Sequence, residues 1–151
     1  MSLDDALAKV RQFHRHIGAP VAERSCLLKC DTFVTAKFAT QLLELSLLAS
    51  SHGAETDNQL LLRLGMALEE LSEWLFAQAR GSLMAAADAW ADRLYILLGD
   101  AAVTGLPAES LFAEVHRSNM TKEAQTDWPG KAVKGKNYRA PDISKVLNAK
   151  R

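Results

Sequence analysis

The chain has 151 residues, with 18 acidic and 18 basic side chains and an apolar fraction of 48%. This is enough to bury a core as one domain or as the subunit of a small oligomer. The first five residues include two aspartates and no continuous apolar segment, and no apolar run reaches the length of a membrane span, so neither a secretory signal nor a membrane partner is expected. The two cysteines, Cys26 and Cys30, are interpreted as reduced packing residues, and a cytoplasmic location is expected.

Helical periodicity dominates the chain from its first residues onward. Apolar residues recur every three to four positions, and breaks at glycine and proline separate the segments. The predicted helices span about residues 2–17, 31–51, 57–79 and 83–103, and a fifth follows Pro107 and ends near Met120. The predicted fold is an all-α helical bundle with an acidic helical hairpin, completed by dimerisation.

The last part of the chain has a different composition. Residues 1–116 carry 15 acidic and 9 basic side chains, whereas residues 117–151 carry 3 and 9. Residues 121–140 are predicted to form a loop, and a short helix is predicted at about 142–147. We therefore expect a helical core over 1–120 and a basic tail over 121–151 that packs on the core or on the active site.

Two acidic clusters are predicted to face each other across the hairpin of the third and fourth helices. Gly81 can end the third helix and Ser82 can cap the fourth, which places the turn at residues 80–82. Antiparallel residues then lie level when their numbers sum to about 162, and packed helix axes lie roughly 8 to 10 Å apart. The acidic residues concerned are Glu69, Glu70, Glu73, Asp88 and Asp92.

This arrangement favours a divalent-metal site. Carboxylates three or four residues apart share a helix face and repel one another, and a bound cation would offset that repulsion. Oxygen ligands without histidine or cysteine favour Mg²⁺, or Mn²⁺, over zinc. The competing interpretation is a solvated acidic face, which explains many glutamate clusters on helices.

At these residues the chain resembles the MazG-like all-α nucleoside triphosphate pyrophosphohydrolases, in the branch that includes dimeric dUTP pyrophosphatase-like proteins. Residues 69–73 resemble the Glu-Glu-x-x-Glu metal motif of the family, and residues 87–95 resemble its second acidic helix. Residues 114–122 and 130–142 are similar to its segments after the last long helix. The stretch 26–62 is longer than usual, and no function is transferred to it.

One position departs from the pattern of the family. The second metal pair is commonly Glu-x-x-Asp, but the residue three before Asp92 is Ala89. Asp88, one turn before Asp92, is the expected substitute. The number of metal ions or their affinity can differ for that reason.

The resemblance implies Mg²⁺-dependent hydrolysis of a nucleoside triphosphate to a nucleoside monophosphate and pyrophosphate. Glu69 and Glu70 are the candidates for the general base, and Glu70 is also a candidate metal ligand together with Glu73, Asp88 and Asp92. The substrate phosphates are expected to be bound from the C-terminal part of the chain, by Arg117, Asn119, Lys122, Lys131, Lys134, Lys136 and Tyr138. A homodimer or a higher homo-oligomer is expected.

Three alternatives belong to other classes. A di-iron carboxylate bundle expects Glu-x-x-His pairs, and the sequence contains none. A nucleic-acid-binding module could use the basic tail, but its basic residues are not interleaved with an aromatic platform, so no nucleic-acid partner is expected. The third alternative is a catalytically degenerate nucleotide-binding or interaction protein of the same fold, for which the Ala89 departure is the sole hint.

Overall fold

The computed structural model describes residues 1–125 and 130–149, and this part of the chain is predominantly helical. The prediction of an all-α fold is confirmed. The elements are α1 (Leu3–His16), α2 (Thr32–Glu55), α3 (Gln59–Ala79), α4 (Leu83–Thr104), α5 (Ala108–Asn119), β1 (Glu123–Ala124), β2 (Ala132–Val133) and α6 (Ile143–Asn148).

Side-chain caps fix where several helices begin. Ser2 and Asp5 form a capping box at α1, and Asp31 accepts a hydrogen bond from the backbone N–H of Val34 at α2. The predicted turn between α3 and α4 is confirmed. Gly81 has a φ of 72°, and the Oγ of Ser82 accepts the backbone N–H of Ala85 at 3.3 Å.

Three details differ from the sequence-based expectations. Helix α2 continues through Gly53 to Glu55, and Gly53 lies against Leu62, where there is no space for a side chain. The segment expected to be a loop contains the antiparallel pair β1–β2. Cys26 and Cys30 are exposed in a non-helical segment before α2, so their interpretation as packing residues was wrong.

The chain folds as two units. Residues 24–104, with α2, α3 and α4, form the hairpin unit, and residues 1–23 together with 105–151 form the terminal unit. Helix α5 and the basic tail therefore belong to the same unit. The functional division into a core over 1–120 and a tail over 121–151 stays a prediction.

Within the hairpin unit, α3 packs against both α2 and α4. Small residues let α2 and α3 approach closely: the Oγ of Ser46 donates to the carbonyl of Gly65 at 2.8 Å, and the Oγ of Ser72 donates to the carbonyl of Ala39 at 2.8 Å. The buried apolar residues of this unit are alanines: Ala39, Ala49, Ala77, Ala86 and Ala89.

Arg63 ties α3 to the C-terminal half of α4. Its guanidinium donates to Asp100 at 2.6 Å and to the backbone carbonyl of Ile96 at 2.6 Å. The same group fills the space beside Gly99, where a Cβ would lie 2.7 Å from the guanidinium. These contacts fix the register of the antiparallel hairpin on which the acidic residues lie.

In the terminal unit, the tail is held to α5 by polar contacts. Arg117 donates two hydrogen bonds to Glu114, at 2.8 and 2.7 Å, and one to the carbonyl of Ala140 at 3.0 Å. The backbone N–H of Asp142 donates to Glu114 at 2.6 Å, and the Oγ of Ser118 donates to the carbonyl of Arg139 at 2.8 Å. The bonds from Arg117 and Asp142 lower the pKa of Glu114 to about 2.

Among the described residues, no single helix is both long and apolar enough to cross a membrane, and the pair α4 and α5 passes that test only when taken together.

Candidate metal and catalytic site

Glu70 lies at the centre of the acidic cluster on the hairpin. Its Oε2 is buried and has no hydrogen-bond partner among the described residues. Burial raises the pKa of Glu70, and the negative charges of Glu73, Asp92, Glu69 and Asp88 raise it further, in that order. The five carboxylates therefore share one electrostatic neighbourhood, as the hairpin register predicts.

The four carboxylates around Glu70 have access to solvent. Glu69, Glu73, Asp88 and Asp92 are all exposed, and no ion pair or hydrogen bond joins them to another side chain in residues 1–125 and 130–149. Within that part of the chain, no built-in cation neutralises the cluster. A positively charged ligand can therefore approach from the solvent side.

Ala89 and Asp88, the two residues that bear on the expected second metal pair, differ in burial. Ala89 is 3% exposed, whereas Asp88 beside it on α4 is exposed. A side chain at position 89 is thus buried, whereas the carboxylate of Asp88 is accessible to solvent. The i, i+4 pair Asp88 and Asp92 still lies on one helix face.

The donor set fits a hard divalent cation, although the side chains do not close around a common point. Within the described part of the chain, no group of three or more histidine, cysteine, aspartate or glutamate side chains is arranged to hold a metal ion as it stands. Mutual repulsion favours splayed carboxylates, and rotation of the exposed side chains would be needed to bring them together. The orphaned Oε2 of Glu70 is the atom in the cluster that most needs a cation, because an unpaired buried carboxylate oxygen is costly.

The candidate phosphate-binding residues all lie in the terminal unit, and the structure brings only some of them together. The ammonium of Lys134 lies 5.0 Å from the ring centroid of Tyr138. The backbone carbonyl of Lys122 is hydrogen-bonded to the ring of His16 at 2.8 Å. The ammonium group of Lys122 takes no part in that contact. The backbone of Lys131 accepts a hydrogen bond from Gln125, and Lys136 lies in the turn before Tyr138.

Two other phosphate candidates have structural contacts of their own. Arg117 is bound to Glu114 and to the tail, as described above, and its side chain is 45% exposed. Asn119 lines a small cavity of about 50 Å³ with Phe13, Phe112 and His116. A phosphate would have to compete with Glu114 for the guanidinium of Arg117.

Two features of the site region carry only a weak signal in the sequence. The contacts of Arg63 with α4 could not be read from helix periodicity, because its partners are more than 30 positions away. Tyr95 falls on the same helix face as Asp88 and Asp92 in the sequence, but its 78% exposure is visible only in the structure.

A comparison with protein families gives one match. Residues 49–119, a little under half of the chain, match the phosphoribosyl-ATP pyrophosphohydrolase family. No curated protein and no solved structure matches the chain. The matched segment contains all five acidic residues of the hairpin and ends with α5. Over this segment the chain is similar to a pyrophosphohydrolase of the all-α nucleoside triphosphate pyrophosphohydrolase superfamily, and its assignment to the MazG-like branch stays a prediction.

Proposed function

We propose that the protein is a divalent-metal-dependent nucleoside triphosphate pyrophosphohydrolase. The observation that carries this proposal is the buried, unpaired Oε2 of Glu70 within a cluster of four further carboxylates. The family match over the same residues supports the reaction class. The products would be a nucleoside monophosphate and pyrophosphate.

Glu70, Glu73, Asp88 and Asp92 would hold Mg²⁺ or Mn²⁺. The ion, when bound, would supply Lewis acidity to a phosphate oxygen and to water. In the reaction, an oxygen of water forms a bond to the α-phosphorus and the bond from that phosphorus to the α,β-bridging oxygen breaks. The carboxylate that serves as general base accepts the proton of the water, and pyrophosphate leaves.

The positions of the two base candidates favour different roles. Glu70 has a buried oxygen without a partner among the described residues, which suits a metal ligand, because a bound cation removes the cost of that buried charge. Glu69 is exposed on the neighbouring position and can reach water. We therefore assign the base role to Glu69 and a ligand role to Glu70.

The test combines turnover with metal-linked stability. Purified protein is assayed for pyrophosphate release from a panel of canonical and modified nucleoside triphosphates and phosphoribosyl-ATP, with Mg²⁺ or Mn²⁺. Glu69→Gln and Glu70→Gln should each lower turnover at least about 100-fold. A metal that binds only the folded state stabilises it by roughly 2.7 kcal/mol at 100 Kd, so the melting temperature should rise with metal.

The two variants separate the roles. Glu69→Gln should keep most of the metal-induced rise in melting temperature, whereas Glu70→Gln should lose most of it. Glu44→Gln, an exposed glutamate of α2 outside the cluster, is the matched control and should behave like the wild type. If the wild type binds nucleotide with metal but releases no pyrophosphate, the protein is a degenerate nucleotide-binding member of the fold. If metal shifts the wild type no more than Glu70→Gln, the carboxylates form only a solvated face.

We also propose that the protein is a homodimer, joined through an apolar surface of the hairpin unit. Many large apolar side chains of this unit are exposed. Leu60 is 79% exposed and Leu97 is 64% exposed. The proposed dimer surface consists of Val34, Phe38, Leu45, Leu48, Leu60, Leu64, Trp90 and Leu97. Each of these eight side chains is between 42% and 79% exposed, and a standard interface buries roughly 800 Å² per partner.

This surface leaves the acidic cluster accessible. On α4, Trp90 and Leu97 lie on the opposite side of the helix from Asp88 and Asp92, by the periodicity of 3.6 residues per turn. A second copy on that surface would cover the apolar side chains without covering the carboxylates.

Sedimentation or light scattering tests the dimer. The double variant Phe38→Glu, Leu45→Glu should sediment as a monomer, because it places two charges in the proposed apolar surface. Leu47→Glu is the matched control: Leu47 is 64% exposed on a different side of α2 and should leave the dimer intact. A monomeric wild type at micromolar concentration, or dissociation by Leu47→Glu alone, contradicts this surface.

A further inference from the structure

Tyr95 is an exposed aromatic residue on the acidic side of α4. Its side chain is 78% exposed, although it belongs to a helix in which Ala86 and Ala89 are buried. It follows Asp92 by three positions and Asp88 by seven, so all three side chains project from the same face. No hydrogen bond of the Tyr95 hydroxyl occurs in the part of the chain that the structure describes.

A second apolar residue lies at the other end of the same row. Met84, one turn before Asp88, is 86% exposed. The exposed face of α4 therefore presents, in order, a thioether, two carboxylates and a phenol ring. Within this row, Tyr95 provides a flat aromatic ring beside the carboxylates.

We propose that Tyr95 is the platform on which the base of the nucleotide substrate stacks while its phosphates lie at the carboxylates. This inference rests on the proposed function of the same site. Residues three apart on a helix have Cβ atoms about 5 to 6 Å apart. A nucleoside whose α-phosphate lies beside Asp92 can therefore place its base over the ring of Tyr95. Stacking tolerates every base, because each base has a π-face.

A nucleotide fits this position better than a second copy of the chain does. Asp88 and Asp92, which lie on the same face of α4 as Tyr95, are two of the carboxylates that raise the pKa of Glu70, and neither has a paired cation among the described residues. A two-fold contact between two such faces would bring like charges together. A nucleotide that arrives with a divalent cation brings compensating charge to the carboxylates and an aromatic ring to Tyr95.

Equilibrium binding measures the contribution of Tyr95 without turnover. The probe is a nucleoside 5′-triphosphate with an α,β-imido bridge, in the presence of Mg²⁺, and the second probe is inorganic tripolyphosphate, which has no base. Tyr95→Ala should weaken nucleotide binding about 5- to 100-fold, the range of one stacked base, and should leave tripolyphosphate binding unchanged. Tyr95→Phe keeps the ring and should bind both probes like the wild type.

Met84→Ala is the matched control. Met84 is at least as exposed as Tyr95 and lies at the other end of the same row, so this variant should bind both probes like the wild type. Unchanged nucleotide binding by Tyr95→Ala, an equal loss for tripolyphosphate, or a change in its oligomeric mass overturns the inference.

A turnover assay beside the binding measurement distinguishes failure of this inference from failure of the proposed function. If the wild type binds the imido nucleotide through Tyr95 but releases pyrophosphate from no triphosphate, the catalytic proposal fails and the stacking platform stands. If the wild type turns over nucleotides and Tyr95→Ala has the same KM, the platform fails and the catalytic proposal stands.

Discussion

Glu70 is the residue on which the electrostatics of the hairpin converge. Its pKa is raised above the ordinary value of 4.5, first by burial and then by the four neighbouring carboxylates. A carboxyl group with a raised pKa binds its proton more tightly in the folded chain than in the unfolded chain. Protonation therefore stabilises the fold as pH falls through the folded pKa toward 4.5. That stabilisation is lost as pH rises through the folded pKa. Removing the charge of Glu70 should therefore raise the free energy of unfolding of the metal-free protein at neutral pH.

The first prediction compares Glu70→Gln with the wild type in chelator. At neutral pH the variant should be at least as stable as the wild type, and the wild type should gain stability relative to it as pH falls toward 4.5. Urea unfolding at several pH values measures this difference. Saturating Mg²⁺ should reverse the order at neutral pH, because the ion binds the ionised site. A large loss of stability in metal-free Glu70→Gln at neutral pH contradicts the assignment.

His116 is a second titratable residue with a shifted pKa, in the terminal unit. Its ring stacks on Phe112, with centroids 6.4 Å apart, and lines the small cavity with Val10 and Phe13. Burial lowers its pKa from the ordinary 6.5, and the positive charge of Lys9 lowers it further. The neutral ring therefore contributes stability that is present above pH 6.5 and is lost as pH falls below that value.

The second prediction follows from that sign. His116→Phe keeps an aromatic ring in the cavity and cannot be protonated, so its loss of stability between about pH 7.5 and about pH 5.5 should be smaller than that of the wild type. Chemical unfolding at the two pH values measures the difference. His52→Gln, which removes an exposed histidine of α2, controls for the loss of a histidine as such. Equal pH dependence in His116→Phe and the wild type would exclude the effect.

At the scale of the elements, the close packing of α2 against α3 depends on small residues. A Cβ at Gly65 would lie 2.1 Å from the Oγ of Ser50 and 3.2 Å from the backbone carbonyl oxygen of Ser46. Alanine favours a helix over glycine by about 1 kcal/mol, whereas forcing a group into a packed seam costs about 1 to 3 kcal/mol. The steric cost should exceed the gain in helix propensity.

The third prediction is that Gly65→Ala destabilises the protein by up to about 2 kcal/mol, which is the steric cost less the gain in helix propensity. Removing the obstructing hydroxyl should relieve part of the cost, so Gly65→Ala should be less damaging in a Ser50→Ala background. A double-mutant cycle measured by urea unfolding gives this coupling. Additive effects of the two substitutions would mean that the hydroxyl of Ser50 does not obstruct a Cβ at position 65.

At the scale of the whole molecule, the basic residues and the carboxylates belong to different units of the chain. The lysines proposed to bind substrate phosphates lie in the terminal unit, whereas the carboxylates lie on α3 and α4. Deleting residues 121–151 would also remove the contacts that cover Ser118 and hold Glu114. Substitutions that remove the lysine charges but leave the chain intact are therefore a sharper test than truncation.

The fourth prediction is that the triple variant Lys122→Gln, Lys134→Gln, Lys136→Gln raises the KM for a nucleoside triphosphate at least about tenfold, since hydrogen bonds to charged groups contribute roughly 1.5 to 3 kcal/mol each. The double variant Lys29→Gln, Lys37→Gln in the hairpin unit is the control. An unchanged KM would sink the phosphate role of the tail. Salt-dependent binding of nucleic acid that the triple variant abolishes, with hydrolysis intact, would instead assign the tail to nucleic acid.

The sequence by itself determined the helices, the turn at Gly81 and the level of the carboxylates on the two arms of the hairpin. Each of these depends on interactions between residues that are close in sequence: helix periodicity, the side-chain caps at Asp31 and Ser82, and the left-handed conformation of glycine. Antiparallel packing on either side of a short turn then fixes which residues lie level. For that reason the acidic cluster could be predicted from the order of the residues alone.

Only the tertiary structure decided which side chains are buried. The recurrence of apolar residues every three to four positions predicts apolar helix faces, but the buried apolar residues of the hairpin unit are alanines, and Leu60 and Leu97 are exposed. The burial of Ala89 and of the Oε2 of Glu70, the pairing of β1 with β2 and the exposure of Cys26 depend on contacts between segments distant in sequence. Local periodicity gives the face of a helix on which a residue lies, but the neighbouring element determines which face is covered, because burial is a property of both partners.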